Sequence, residues 1–161
     1  MLGHDHPDVA TSYNNIGVAY DNKGDKHTAL EFYHKAIEIS EQLGTEGPDV
    51  AMIYKNIYGV YLWQGEYDIA LENLRKALNV HERKMGFNPF VYIEYCNFFY
   101  DIGMAYFEQG ENNKALECFE QILDIQERVF GKNHVFTQNT ISIIDDLKKR
   151  MNKNESNTKS H

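Results

Sequence analysis

The sequence predicts an all-α chain built of repeated helical hairpins, and two observations support this prediction. First, the chain repeats itself, because prolines recur 41 residues apart at Pro7, Pro48 and Pro89. A fixed period of this length indicates stacked supersecondary units. Second, the stretches between the prolines are rich in Ala, Leu, Glu, Lys and Gln, which favour helix, and only three prolines in 161 residues interrupt them.

Each repeat has the same internal order of helix signals. A proline opens a first helix, whose apolar residues recur at spacings of three and four. A glycine followed by an acidic residue then ends that helix and begins a second amphipathic helix. Glycine accepts the left-handed conformation that ends a helix, and a helix N-terminus favours negative charge. These pairs are Gly24–Asp25, Gly65–Glu66 and Gly110–Glu111.

The repeat spacing divides the chain into five predicted segments. Residues 1–44 and 45–86 are repeats 1 and 2, and residues 87–131 are repeat 3. Repeat 3 has four extra residues between its proline and its glycine, about one helical turn, which predicts an extended first helix. Residues 132–151 have apolar side chains at helical spacing and predict a C-terminal capping helix. The polar residues 152–161 predict a disordered tail.

The residues at the predicted helix contacts resemble the tetratricopeptide repeat, in which an aromatic residue, Leu, Gly and Tyr of the first helix are followed by Ala, Phe and Ala in the second. Repeat 1 matches with Tyr13, Ile16, Gly17, Tyr20, Ala29, Tyr33 and Ala36. Repeat 2 matches with Tyr54, Ile57, Tyr58, Tyr61, Ala70, Leu74 and Ala77. Repeat 3 matches with Phe99, Ile102, Gly103, Tyr106, Ala115, Phe119 and Ile122. Tyr58 replaces the Gly of the pattern, and Ile122 replaces an Ala.

The connector Leu2-Gly3-His4-Asp5-His6-Pro7-Asp8-Val9-Ala10 is similar to that of the long-period repeat of kinesin light chains, and the period also exceeds the usual length of about 34 residues. This resemblance implies a right-handed superhelical solenoid with a concave groove lined by the first helix of each repeat. Repeat 1 looks like an internal repeat rather than a polar cap. We therefore expect either a longer array or a partner chain that covers the first helix.

The composition excludes several function classes. The chain has 16 Lys and Arg against 24 Asp and Glu, a formal net charge of −8, so it lacks the basic stripe of a nucleic-acid-binding protein. No window approaches the roughly 20 apolar residues of a membrane span, and no secretory or transit signal is visible. Two cysteines are too few for a disulfide scaffold. We expect a cytoplasmic protein with reduced thiols that binds neither nucleic acid nor membrane.

The sequence offers no catalytic, metal-binding or cofactor-binding motif. It has no glycine-rich phosphate loop and no HExxH, CxxC or GxSxG motif. His4, Asp5, His6 and Asp8 have a metal-like composition, but the repeat connector itself accounts for His6. Cys96 lies in an aromatic-rich helix, where a buried thiol of raised pKa is expected rather than a nucleophile. We therefore predict a protein that is not an enzyme and holds no cofactor or metal.

The resemblance implies peptide-binding residues at fixed positions on the first helix of each repeat. The candidates mapped in this way are Asn14 and Val18 in repeat 1, Met52, Lys55, Leu62 and Trp63 in repeat 2, and Asn97, Tyr100, Met104 and Phe107 in repeat 3. Only Lys55 is basic, which argues against a clamp for a C-terminal carboxylate. Aromatic and Met side chains favour apolar anchors, and the Asn amides suit hydrogen bonds to an extended peptide backbone.

The sequence thus predicts a non-catalytic scaffold or adaptor that binds a peptide or helix with apolar anchors, and alternatives stay open. In a second interpretation, Leu62, Met104 and Phe107 are buried between repeats and do not face a ligand. Trp63, the only tryptophan, is the best single candidate. The alternative is that Trp63 packs against the longer first helix of repeat 3. The chain is alternatively a self-association module that stacks into a homo-oligomer through its uncapped N-terminal repeat.

Overall fold

The computed structural model describes residues 7–44, 48–84 and 88–158, which contain seven α-helices and no β-strand. The helices are α1 (Pro7–Asn22), α2 (Lys26–Gln42), α3 (Pro48–Gln64), α4 (Tyr67–Lys84), α5 (Pro89–Glu108), α6 (Asn112–Phe130) and α7 (Val135–Thr158). The all-α prediction is confirmed. No helix in these described ranges is long and apolar enough to cross a membrane.

The helices form two compact units, Met1–Phe87 and Asn88–His161. In the N-terminal unit, α1 pairs with α2, α3 pairs with α4, and α3 also packs on α2. In the C-terminal unit, α5 pairs with α6, and α7 packs against α6. The pairs α1–α2, α3–α4 and α5–α6 are the three helical hairpins that the repeated sequence pattern predicts.

The three glycine–acid pairs form the same turn in each repeat. Gly24, Gly65 and Gly110 have left-handed φ angles of +86°, +78° and +79°. The backbone N–H of each following residue donates to the carbonyl of a tyrosine five positions earlier, at 2.9–3.0 Å: Asp25 to Tyr20, Glu66 to Tyr61 and Glu111 to Tyr106. These bonds satisfy carbonyls that the helix end would otherwise leave open.

Asp25 also caps α2 from its N-terminal side. Its carboxylate accepts a hydrogen bond from the Thr28 backbone N–H at 3.1 Å. This bond favours the charged carboxylate and lowers the pKa of Asp25 below its ordinary value. The acidic residue after the glycine therefore has the capping role that the sequence predicts in repeat 1.

In repeats 1 and 3, a glycine of the first helix makes room for an aromatic ring of the second helix. A Cβ atom on Gly17 would lie 2.6 Å from two ring carbons of Tyr33. A Cβ atom on Gly103 would lie 3.1 Å from the Cβ of Cys118 and 3.4 Å from the ring of Phe119. Both aromatic side chains are buried, so the glycines allow the two helices of a hairpin to approach closely.

Repeat 2 has the opposite distribution of large and small side chains. Tyr58 occupies the glycine position and is buried, while Leu74 occupies the position where the other repeats have an aromatic ring. The larger residue on the first helix is thus matched by a smaller one on the second. In repeat 3, Ile122 replaces the usual alanine and is also buried. Both departures from the repeat pattern are therefore core residues.

The length of α5 matches the sequence prediction, whereas α7 is longer than predicted. Helix α5 has 20 residues, against 16 for α1 and 17 for α3, which agrees with the predicted extension. Helix α7 continues to Thr158, although the sequence predicts a disordered tail from residue 152. No glycine or proline occurs between Val135 and Thr158, so nothing in the backbone stops this helix. Residues 159–161 lie outside the described residues.

Candidate functional site

The C-terminal unit has a groove between α5 and α7. Two adjoining cavities of about 200 and about 230 Å³ lie along it and share Phe119 and Ile143. We name this surface the α5–α7 groove. Its lining comprises Cys96, Asn97, Tyr100, Met104 and Phe107 of α5, Phe119, Ile122 and Gln126 of α6, and Phe136, Asn139, Thr140, Ile143, Asp146, Leu147 and Arg150 of α7.

The four candidate residues predicted in repeat 3 all line this groove. Asn97 and Tyr100 are exposed, and the Tyr100 ring meets the buried Phe119 ring edge to face at 5.9 Å. Met104 and Phe107 are half-buried and line the larger of the two cavities. The structure therefore brings these four side chains onto one surface, and Met104 and Phe107 keep part of their area accessible.

The chemical character of the groove changes along its length. One end has the amides of Asn97, Asn139 and Gln126. The side-chain oxygen of Gln126 is buried and accepts no hydrogen bond from the described residues. Asn97 and Asn139 are exposed, so their amides are the polar groups at this end that a ligand can reach.

The middle and the far end of the groove differ from the amide end. The middle is apolar and aromatic, with Tyr100 and Phe136 exposing 44% and 54% of their surface and Ile143 exposing 37%. At the far end, the Arg150 guanidinium lies 5.6 Å from the centre of the Phe107 ring. Arg150 is the only basic residue among those that line the groove.

Comparison with protein-family models matches all three repeats. One model, described as tetratricopeptide repeat, matches residues 51–90 and 100–135, and a second with the same description matches residues 10–43. Together these segments span more than half of the chain. The chain is a tetratricopeptide repeat (TPR) protein. Proteins built from such repeats use extended concave surfaces for protein interaction. No curated protein sequence matches the chain.

Solved TPR structures share the fold at low sequence identity. BtubC (BKLC) from P. vanneervenii is 21% identical with a TM-score of 0.60, over 89% of this chain and 57% of its own. A putative kinesin light chain from Podosopora anserina is 18% identical with a TM-score of 0.51, over 88% and 66%. The first TPR of Spaghetti (RPAP3), bound to the HSP90 peptide SRMEEVD, is 14% identical with a TM-score of 0.52, over 93% and 98%. The chain thus spans less than two thirds of the first two proteins.

The residues that α7 contributes to the groove are absent from the sequence-based candidates, although a sequence signal for them exists. Gly131-Lys132-Asn133-His134 repeats the connector that precedes α1, so α7 stands where the first helix of a fourth TPR would stand. In this register Thr11, Val18 and Asn22 of α1 correspond to Asn139, Asp146 and Arg150 of α7, and these three α7 residues all line the groove. Interpreting α7 only as a cap conceals this contribution.

The two candidates of repeat 1 differ in burial, since Asn14 is buried and Val18 is half-buried. Asn14 is 7% exposed, and its side-chain oxygen accepts a hydrogen bond from the Asn56 amide of α3 at 2.9 Å. Val18 packs against the core of the N-terminal unit. In this structure Asn14 therefore links two TPR first helices, and its oxygen is already engaged.

The candidates of repeat 2 differ widely in exposure. Met52 and Trp63 expose 50% and 71% of their surface, while Lys55 and Leu62 are half-buried. The Lys26 ammonium lies 5.4 Å from the centre of the Trp63 ring and also forms an ion pair with Asp21. Trp63 therefore stays open to solvent on most of its surface.

A third cavity, of about 300 Å³, lies in the N-terminal unit among α2, α3 and α4. Tyr54, Lys76 and Arg83 are among its lining residues, and none of the ten candidate residues is. Within the described ranges, no group of three or more His, Cys, Asp and Glu side chains is placed to hold a metal ion. Of the metal-like sequence cluster, His4, Asp5 and His6 lie outside the described residues.

Cys96 lines the groove, yet burial raises the pKa of its thiol to about 12. We expect iodoacetamide at pH 8 to alkylate Cys96 roughly a thousandfold more slowly in the native chain than in the urea-unfolded chain, because only the thiolate reacts. Timed quenching followed by peptide mass spectrometry measures both rates. Equal rates in the two states would show that Cys96 is an accessible, reactive thiol instead.

Proposed function

We propose that the α5–α7 groove binds an extended peptide segment of a protein partner, and that the chain acts as a non-catalytic scaffold or adaptor. One observation carries the proposal: all four candidates of repeat 3 line two adjoining cavities together with in-register residues of α7. The first TPR of Spaghetti, whose fold this chain resembles, is bound to a short HSP90 peptide, which supports a ligand of the same kind.

The dimensions of the groove suit a short ligand. Asn97 and Phe107 are ten residues apart on α5, which corresponds to about 15 Å along the helix axis. An extended peptide advances about 3.3 Å per residue, so four or five ligand residues span the groove. The sequence-based proposal of apolar anchors fits the middle of the groove, where Tyr100, Met104 and Ile143 lie.

The two ends of the groove add polar preferences. The exposed amides of Asn97 and Asn139 suit hydrogen bonds to the ligand backbone. At the far end Arg150 and Asp146 line the same cavity, so one acidic ligand group can pair with Arg150 next to the Phe107 ring, while further acidic groups would meet the Asp146 carboxylate. With a single basic residue in the lining, we propose apolar anchoring with one acidic contact rather than a carboxylate clamp.

We further propose that the repeats are of the long-period type found in kinesin light chains, and that the protein works in the cytoplasm. The 41-residue spacing of the prolines and the connector before α7 support the repeat type. The likeness to the putative kinesin light chain of Podosopora anserina is consistent with it. The remaining candidates, on α1 and α3, stay a prediction for a second part of the binding surface.

Ile143→Glu is expected to weaken peptide binding at least about 30-fold, because it places a charge at the junction of the two cavities. Peptides are first selected from a random heptapeptide display library on the immobilised chain. The affinity of each selected peptide is then measured by fluorescence anisotropy. Ile93→Glu is the matched control, since Ile93 on α5 is equally exposed at 37% and does not line the groove.

Two outcomes of this experiment would contradict the proposal. One is a library that yields no binder, and the other is an equal loss of affinity in the Ile143 and Ile93 variants. Arg150→Ala should weaken the binding of only those selected peptides that have an acidic residue, by about fivefold at low salt.

Trp63 fluorescence tests whether a selected peptide also reaches the α3 candidates. The exposed Trp63 side chain should emit at long wavelength in the free chain, and a ligand that covers it would shift this emission to shorter wavelength.

A further inference from the structure

The cavity of about 300 Å³ in the N-terminal unit lies where helices of two successive repeats meet. Helix α2 belongs to repeat 1, whereas α3 and α4 form repeat 2. We name this site the repeat-junction cavity. Its lining comprises Ser40, Glu41 and Gly44 of repeat 1, Val50 and Tyr54 of α3, and Lys76, Asn79, Val80 and Arg83 of α4. None of these residues lines the α5–α7 groove, so the two sites are separate.

The buried part of this lining is largely apolar, and the exposed part is charged. Val50 and Val80 are both buried. Glu41, Lys76 and Arg83 are exposed, and therefore form the rim. The cavity thus offers an apolar surface for a side chain together with charged groups of both signs.

The charged groups of the rim surround the half-buried Tyr54. Its ring centre lies 5.9 Å from the Lys76 ammonium. Burial raises the pKa of Tyr54, the Glu41 carboxylate raises it further, and Lys76 and Arg83 oppose this rise. The Tyr54 hydroxyl is therefore protonated at neutral pH and can donate a hydrogen bond to a ligand.

The charges around the cavity balance one another. Lys76 forms an ion pair with Glu72, one turn earlier on α4, at 2.7 Å. Glu41 and Glu72 together therefore offset Lys76 and Arg83. A ligand with a net charge would upset this balance, whereas a ligand that carries one charge of each sign would preserve it.

We propose that the repeat-junction cavity binds a free α-amino acid with an aliphatic side chain, in its zwitterionic form. The ligand carboxylate pairs with the Arg83 guanidinium and accepts a hydrogen bond from the Tyr54 hydroxyl. The ligand ammonium pairs with the Glu41 carboxylate. The aliphatic side chain packs on Val50 and Val80, which form the buried part of the lining.

The volume of the cavity suits a ligand of this size. About 300 Å³ lies at the lower end of the range for small-molecule pockets, so it suits a compound such as leucine, with about nine non-hydrogen atoms. For so small a ligand we expect a dissociation constant of about 0.1–1 mM. Because the ligand contacts helices of two repeats, its binding should also stabilise the N-terminal unit.

Titration of the isotope-labelled full chain with L-leucine, followed by two-dimensional NMR, tests the proposal. We expect saturable shifts of the amide signals of the lining residues. Isocaproate lacks the ammonium of leucine, and isoamylamine lacks its carboxylate. Each analogue should bind at least about 10-fold more weakly, because it leaves one sign of charge in the cavity without a partner. No saturable shift up to about 10 mM L-leucine, or equal binding of either analogue, would overturn the proposal.

Two substitutions at the rim test the roles of the charged groups. Arg83→Gln and Glu41→Gln should each weaken L-leucine binding by about 10-fold, and both residues are exposed, so the fold should be retained. Glu38→Gln is the matched control, since Glu38 is also exposed on α2 but does not line the cavity. Equal affinities in the Glu41 and Glu38 variants would contradict the proposed ammonium contact. The inference stands apart from the groove proposal, because neither rim substitution should change peptide binding by the C-terminal unit.

Discussion

Ala70→Glu is expected to unfold the α3–α4 hairpin. Ala70 exposes 0% of its surface and lies in α4, which pairs with α3. A glutamate there would bury a carboxylate without a partner in a close helix contact, at a cost of at least about 4 kcal/mol. We expect circular dichroism to show lost helix at 25 °C, and urea unfolding to begin at a lower concentration than in the parent chain.

The neighbouring residue provides the control for this substitution. Ile69 precedes Ala70 on the same helix and exposes 39% of its surface. Ile69→Glu introduces the same side chain into water, so the free energy of unfolding should change by no more than about 0.5 kcal/mol. If the two variants melt alike, Ala70 does not face a neighbouring helix, and the repeat register that places it there is wrong.

The hairpins could be predicted from the sequence because their signals are local. Proline opens the first helix, and Gly24, Gly65 and Gly110 adopt the left-handed conformation that their spacing predicts. Alanines at equivalent positions, Ala29, Ala70 and Ala115, are all fully buried as the repeat pattern implies. These features depend on residues within one repeat, so a single sequence is enough to find them.

The candidate site was harder to predict because it depends on contacts between repeats. Asn14 looks like a groove residue by position, but its oxygen accepts a hydrogen bond from Asn56, which lies 42 residues further along the chain. Phe136 and Ile143 belong to a helix that the sequence presents as a cap. Both outcomes depend on which helix packs beside which, and hydrophobic periodicity within one helix does not contain that information.

The departures of repeat 2 from the pattern show the same limit. From the sequence, Tyr58 in a glycine position gives no indication of how its hairpin packs. In the structure Tyr58 is buried, and so is Leu74, which stands on α4 where the other repeats have an aromatic ring. The glycine and the aromatic ring therefore form one packing unit, which makes the glycines of the other repeats sensitive to substitution.

Gly17→Ala is expected to destabilise the N-terminal unit by about 2–3 kcal/mol, although alanine favours helix more than glycine does. The added Cβ would lie 2.6 Å from two ring carbons of Tyr33 and 3.2 Å from the Ala29 carbonyl oxygen. Tyr33 exposes only 1% of its surface, so its ring has no room to move aside. Urea unfolding followed by circular dichroism measures the change in the free energy of unfolding.

Gly59→Ala should have the opposite effect. Gly59 also lies within a helix, but a Cβ there would meet nothing within 4 Å, so alanine should stabilise the chain by about 0.5–1 kcal/mol. Gly103→Ala should fall between the two, since its Cβ would lie 3.1 Å from the Cβ of Cys118. The gain in helix propensity is the same at all three positions. The ranking of the three changes in the free energy of unfolding therefore measures how closely the facing helix approaches each glycine. If all three substitutions stabilise the chain equally, the Tyr33 ring does not lie against α1, and the α1–α2 pairing described above is incorrect.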